Sequence, residues 1–111
     1  MIKDINFDDF SKIDIRVGSI IDAYLNKDSV KSAFILIIDF GPLGIFKSSA
    51  QITKNYKVEN LLGVQVTAVI NLPVKQIGKV MSSCLVLAAV NQQNTTLIKP
   101  SIKVLNGTIV A

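Results

Sequence analysis

Residues 15–23 read Ile-Arg-Val-Gly-Ser-Ile-Ile-Asp-Ala, and their hydrophobic pattern repeats at every second residue. One face would carry Ile15, Val17, Ser19, Ile21 and Ala23, and the other Arg16, Gly18, Ile20 and Asp22. A period of two predicts a half-buried β-strand. The glycine within it predicts a bulge or a sharp bend, which small barrels need where a strand turns a corner.

The rest of the chain predicts a small all-β barrel. Four further strands are expected at residues 34–40, 45–50, 64–71 and 84–90, with short helical turns at 53–62 between the third strand and the fourth. Five strands with a short helix in that position are typical of the OB-fold, although SH3-like barrels also contain five short strands. Residues 72–83 are expected to form a long connection and residues 95–98 a short extra strand. The pair Asn106-Gly107 predicts a tight turn.

Both ends extend beyond what such a barrel needs. Residues 1–13 and 91–111 are interpreted as terminal extensions of one domain that spans 1–111. Asn6 can cap a short helix, and Phe7, Phe10 and Ile13 then form an apolar stripe that must pack on the domain or on a partner chain. The extensions also carry Leu97, Ile98 and Ile109, so we expect them to be used in a homodimer.

The amino-acid composition excludes several kinds of catalytic and metal-binding site. The chain has 111 residues, no His and a single Cys. These counts exclude Ser-His and Cys-His catalysis, His-based metal sites and an internal disulfide. No nucleophile and base are recognisable by spacing, so we expect no enzyme, no cofactor and no metal site. No apolar run approaches the roughly 20 residues of a membrane span. We therefore expect a cytoplasmic protein.

Charge is unevenly distributed along the chain. Residues 1–40 hold five basic and seven acidic residues, whereas residues 41–111 hold seven Lys and one acid, Glu59. A basic second half favours a polyanionic partner. The alternative is a solvated, lysine-rich surface with no specific ligand.

Several motifs in order carry a family resemblance. They are Phe-Ser-Lys-Ile-Asp-Ile-Arg-Val-Gly at 10–18, Ser-Ser-Ala-Gln-Ile-Thr at 48–53, Val-Ile-Asn-Leu-Pro at 69–73, residues 82–87, and Pro100 with residues 104–107. This set resembles the stand-alone tRNA-binding domain family and, within it, small chaperones of protein export. The resemblance implies an OB-fold dimer that binds tRNA without catalysis. For the export chaperones it implies binding of unfolded preproteins or peptides, which stays open as the alternative function.

The resemblance and the charge pattern together select candidate RNA-binding residues. They are Asn71, Lys75, Lys79, Ser82, Lys47, Ser49, Gln51 and Lys54. Amides and hydroxyls can pair with bases or phosphates, and lysines can neutralise phosphates. Each type also has a structural alternative, because Asn and Ser stabilise turns and surface lysines are commonly only solvated.

Two positions depart from the family pattern. Gln76 stands where a second basic residue is frequent, and Ser83 stands where Glu is common. With five Phe, two Tyr and no Trp, the chain also has few aromatics for stacking on single strands. This scarcity favours recognition of folded RNA through shape and phosphates.

Overall fold

A computed structural model describes residues 2–111, in which β-strands predominate and the helices are short. The helices are α1 (Phe7–Ser11) and α2 (Val58–Leu61), and a 3₁₀ turn covers Gly41–Leu43. The strands are β1 (Ile15–Leu25), β2 (Phe34–Asp39), β3 (Ile45–Ala50), β4 (Gln65–Val69), β5 (Lys75–Ile77), β6 (Val80–Ser82), β7 (Leu85–Val86), β8 (Ala88–Val90), β9 (Thr95–Leu97) and β10 (Ile109–Val110). The expected all-β class, with a short helix between β3 and β4, is confirmed.

The main sheet curls into a nearly closed barrel. Its strands run in the antiparallel order β3-β2-β1-β4-β7, and β10 pairs with the start of β1. The ring closes where the backbone amides of Ser83 and Cys84 donate to the Lys47 carbonyl of β3, at 2.8 and 3.3 Å. The architecture is therefore an OB-fold-like barrel, as expected, and β2 lies between β3 and β1.

A bulge in β1 overturns the simple alternation expected for residues 15–23. The register against β2 shifts between Ile20 and Asp22, so Ile21 turns outward and is half exposed. Gly18, Ile20 and Ala23 face the core together, whereas strict alternation would put Ala23 on the same face as Ile21 and opposite to Ile20. The bulge lies beyond Gly18. A glycine is needed at position 18 because a Cβ there would stand 2.7 Å from Ile38 Cγ2 and 2.8 Å from the Phe40 ring.

The core fills the barrel with side chains from β1, β2 and β4 and from α2. Phe40, Ile20, Leu36, Ile38, Ile52, Leu61 and Val66 are essentially inaccessible to solvent. β4 is buried along its whole length because its second face is covered as well. There the Gln65 side chain bonds the backbone of Val104 in both directions, donating at 2.7 Å and accepting at 3.0 Å.

The segment expected to be one long connection contains a hairpin. β5 and β6 pair from Lys75↔Ser82 to Ile77↔Val80, around Gly78 with φ +64°. The expected fifth strand is also divided into β7 and β8, because β7 pairs with β4 whereas β8 leaves the barrel to pair with β9. The short strand expected at 95–98 is present as β9, and Asn106-Gly107 forms the expected turn, with Gly107 at φ +93°.

The two terminal extensions behave differently. The C-terminal segment packs on its own barrel, where the amide of Val17 donates to Thr108 and the amide of Gly107 donates to Val17, at 2.9 and 2.7 Å. The α1 helix buries none of its residues, and Phe7 is 77% exposed. Met1, the first residue of the expected N-terminal extension, lies outside the described residues. Within residues 2–111 no helix is long and apolar enough to cross a membrane.

Candidate nucleic-acid interface

The β5–β6 hairpin and β3 enclose a groove of about 380 Å³, here named the hairpin groove. It is lined by Ser49, Gln51, Leu72, Pro73, Lys75, Ile77, Ser82, Ser83, Cys84 and Leu85. Its floor is apolar and its walls carry hydroxyls, one amide and one ammonium group. Four of the residues expected from sequence therefore meet in one cavity, namely Ser49, Gln51, Lys75 and Ser82.

Hydrogen bonds hold the walls of this groove in place. The backbone amide of Ser49 on β3 donates to Ser82 Oγ at 3.2 Å, which joins β3 to β6. Buried Asn26, from the loop after β1, donates through Nδ2 to Ser49 Oγ at 3.3 Å and to the Ile77 carbonyl at 3.2 Å. Asn26 follows directly on Leu25 at the end of β1, and a single Asn at the start of a loop carries no signal for this role.

The hairpin tip rests on the same loop. A Cβ on Gly78 would stand 2.8 Å from the Asp28 carbonyl oxygen, so only glycine allows this close approach. Lys79 follows at the tip and is exposed, as is Lys75 on β5. The hairpin therefore carries two exposed lysines, while its tip rests on the loop after β1 and Ser82 joins it to β3.

Lys47 adjoins the groove through the backbone of β3. Its N–H and carbonyl both bond the Ser83 hydroxyl, at 3.1 and 3.3 Å, and its side chain is exposed. In the described part of the chain the ion pairs are Lys12–Asp9 and Arg16–Asp14, at 3.5 and 2.6 Å. Lys47, Lys75 and Lys79 belong to neither pair, so their charges are uncompensated by a carboxylate at contact distance.

Two expected site residues lie elsewhere. Asn71 follows β4, but its amide joins two backbone groups, accepting from the Asp14 amide at 2.9 Å and donating to the Lys12 carbonyl at 2.6 Å. Lys54 lines a separate polar cleft near the β8–β9 turn. The groove also contains residues that were not expected there, such as Leu72 and Ile77, because apolar side chains in a polar connection carry no binding signal.

The thiol of Cys84 at the groove floor is expected to be unreactive at neutral pH. Burial raises its pKa to about 12, against a smaller lowering by a hydrogen bond with Ser48. A thiol of that pKa is protonated at neutral pH and is a poor nucleophile. The groove is therefore suited to binding by charge, hydroxyls and an amide.

A second, apolar groove of about 440 Å³ runs beside the first. It lies between β3 and the strands β7 to β9 and shares Ser49, Gln51 and Leu85 with the hairpin groove. Its other lining residues are mostly aliphatic, such as Ile52, Val86, Leu87 and Val90. It has the character of a site for an apolar segment of chain.

Comparison with known proteins identifies a family model and a relative whose names both refer to tRNA. Residues 15–109 match the family model described as "Putative tRNA binding domain". A methionine–tRNA ligase of Methanococcoides burtonii is 36% identical over 107 residues, which are 96% of this chain and 16% of the ligase. The chain thus spans about a sixth of the length of that curated relative.

Solved structures match over nearly the whole chain. The chaperone CsaA of Bacillus anthracis superposes with a TM-score of 0.93 at 40% identity, covering 98% of this chain and all of the other. The CsaA chaperone of Picrophilus torridus superposes with a TM-score of 0.92 at 42% identity, covering 97% of this chain and all of the other.

Proposed function

The chain belongs to the tRNA-binding domain family and is CsaA-like in structure, and from that premise we propose that it binds tRNA, without catalysis, through the hairpin groove. The observation that carries the proposal is the groove itself, which has a hydrogen-bonded frame and collects Ser49, Gln51, Lys75 and Ser82. Lys47 and Lys79 would extend the contact along the RNA on either side.

Charge supports a phosphate ligand. The lysines beside the groove lack carboxylate partners among the described residues, so they are free to replace counterions on a polyanion. The groove has no aromatic lining residue, which disfavours stacking of a single strand and favours paired, phosphate-rich RNA. The contact is proposed to occur in the cytoplasm, because tRNA acts there.

Catalysis is left out of the proposal. The ligase relative is matched over only 16% of its length, so its activity is not transferred to this chain. The groove offers a protonated thiol, serine hydroxyls and one lysine, with no histidine or carboxylate among its lining residues, which favours binding over turnover.

The test is equilibrium binding of labelled tRNA between about 50 and 200 mM salt. Four to six phosphate contacts give a log–log slope of roughly −3 to −5. The double variant Lys75→Ala/Lys79→Ala should reduce both affinity and slope, whereas Lys103→Ala, on the separate C-terminal segment, should leave the slope unchanged. Absence of binding by the unaltered protein at low salt would refute the proposal.

The apolar groove favours a second candidate function, binding of an unfolded peptide or preprotein. Its aliphatic walls fit apolar side chains, and its shared border with the hairpin groove would make peptide and RNA compete. Suppression of client aggregation that tRNA reverses would support it. A protein that protects no unfolded client, with or without RNA, would exclude it.

We also propose a homodimer formed through the N-terminal segment. The exposed stripe of Phe7, Phe10 and Ile13 is the supporting observation, with the Phe7 and Phe10 rings 6.3 Å apart on one side of α1. The C-terminal segment is less available for contacts with a second copy of the chain, because it forms hydrogen bonds with β1 and β4 of its own chain. Light scattering should give about twice 12.1 kDa, and a monomer mass at micromolar concentration would overturn this part.

A further inference from the structure

A cleft of about 220 Å³, here named the amide cleft, lies between the loop after β3 and the β8–β9 turn. All of its lining residues are polar. They include the amides of Gln51, Gln92 and Gln93 and one cation, Lys54, and no carboxylate among the residues described. Its volume is below the roughly 300 to 1,000 Å³ of drug-sized pockets, so it suits a single planar group.

The β8–β9 turn that forms one wall is internally fixed. The Asn91 side-chain oxygen accepts from the backbone amides of Gln93 and Asn94, both at 2.9 Å. The Asn55 side-chain oxygen accepts from the Thr95 amide, also at 2.9 Å, and so ties the turn to the segment before α2. The asparagines therefore form the scaffold of the cleft.

The three glutamines differ from these asparagines. Gln51, Gln92 and Gln93 are exposed, and their side-chain amides form no hydrogen bond with another described residue. Each keeps a donor and an acceptor available, and Gln92 and Gln93 do so on a turn whose backbone is held by hydrogen bonds. An amide of this kind can pair with the edge of a base, which also presents a donor and an acceptor side by side.

We propose that the amide cleft binds an unpaired nucleotide of the same RNA that occupies the hairpin groove, with the glutamines on the base edge and Lys54 on its phosphate. Gln51 lines both cavities, so an RNA strand that leaves the hairpin groove enters the cleft directly. The cleft lacks an aromatic lining residue, so the base is held by its edge and not by stacking. This inference rests on the proposed RNA binding and adds a site for unpaired bases.

The experiment measures binding of two probes, a tRNA and a fully paired RNA duplex, across the same salt range. The variant is Gln51→Ala/Gln92→Ala/Gln93→Ala, and the control is Ser101→Ala, an exposed polar side chain that lies outside both cavities and has no hydrogen bond within residues 2–111. Loss of base-edge contacts should weaken tRNA binding roughly tenfold at every salt concentration, because such contacts release no counterions. Duplex binding and the salt slope should stay as in the unaltered protein.

The outcomes separate the two proposals. Normal tRNA binding by the triple variant, or an equal loss on tRNA and duplex, overturns the amide cleft and leaves the hairpin groove standing. Failure of the unaltered protein to bind either RNA removes the proposed function, and the cleft assignment with it. Gln92→Ala alone, at an exposed position without side-chain hydrogen bonds, should give a smaller loss in the same direction and guards against misfolding of the triple variant.

Discussion

The hydroxyl of Ser83 accepts a hydrogen bond from the backbone N–H of Lys47 at 3.1 Å and donates one to the Lys47 carbonyl at 3.3 Å. A side chain therefore adds to the two backbone hydrogen bonds that close the barrel where β3 and the segment after β6 do not form a ladder. The family resemblance places Glu at this position, and a carboxylate could accept from Lys47 but could not donate to it. The serine at this departure is thus suited to closing the seam.

Replacement of this serine should weaken the barrel. In Ser83→Ala the Lys47 N–H loses its partner, whereas the Lys47 carbonyl keeps the amides of Ser83 and Cys84. We expect the free energy of unfolding to fall by about 1 kcal/mol. Urea unfolding measures it, with Ser101→Ala as the control because that exposed hydroxyl has no hydrogen bond within residues 2–111. Equal stability of the two variants would show that the seam is held by the backbone alone.

The Asn71 amide should control the N-terminal segment more than RNA binding. Asn71→Ala removes the bonds to Lys12 and Asp14, and Asn71→Asp removes only the donor to the Lys12 carbonyl. We expect faster hydrogen exchange in residues 2–14 for both variants, with the larger effect for Ala, and an unchanged salt slope of tRNA binding. A variant with unaltered exchange but weaker RNA binding would return Asn71 to the binding site.

The sequence predicted the outline of the fold because its strongest patterns are local. β2 and β3 were predicted within a residue of their bounds, since β2 begins with an uninterrupted apolar segment and the Gly-Pro-Leu-Gly turn at 41–44 marks where β3 starts. The faces of β1 were predicted wrongly after Ile20, because Gly18 indicates a bulge or bend in this strand but not the place of the register shift, which depends on pairing with β2 and lies between Ile20 and Asp22. The β5–β6 hairpin was missed because two three-residue strands around Gly78 are too short for a periodic pattern.

The candidate site was predicted in part for a similar reason. Motif spacing selected Ser49, Gln51, Lys75 and Ser82, which the fold brings into one groove. The same reasoning could not see that the Asn71 amide is used by a segment 57 residues earlier in the chain. Nor could it find Asn26, whose burial arises only when the hairpin folds against the loop after β1.

Each lysine in the interface should neutralise about one phosphate of the RNA. Lys75→Ala should lower the magnitude of the log–log salt slope of tRNA binding by roughly 0.9, while Lys75→Arg should retain it because the charge remains. The measurement is fluorescence anisotropy of labelled tRNA over the same salt range for both variants. An unchanged slope in Lys75→Ala would mean that the hairpin lysine points to solvent in the complex.

Burial of Cys84 should make stability depend on pH under alkaline conditions. Its pKa is raised from 9.0 to about 12 in the folded chain, so the folded form keeps a proton that the unfolded form releases. This contribution is complete below pH 9 and is lost as pH rises toward 12, by at most about 1.4 kcal/mol per pH unit. Urea unfolding at pH 8 and pH 10 should show a steeper loss for the unaltered chain than for Cys84→Ala. Identical losses, or rapid alkylation of the native thiol at pH 8, would contradict the burial.

The most direct test of the central claim is a lysine-modification footprint of the protein with and without tRNA, read by mass spectrometry. Binding through the hairpin groove predicts that Lys47, Lys75 and Lys79 become protected, while Lys99 and Lys103 react as in the free protein. Protection confined to Lys99 and Lys103, or no protection when tRNA is bound, would contradict the assignment of the hairpin groove as the RNA-binding surface.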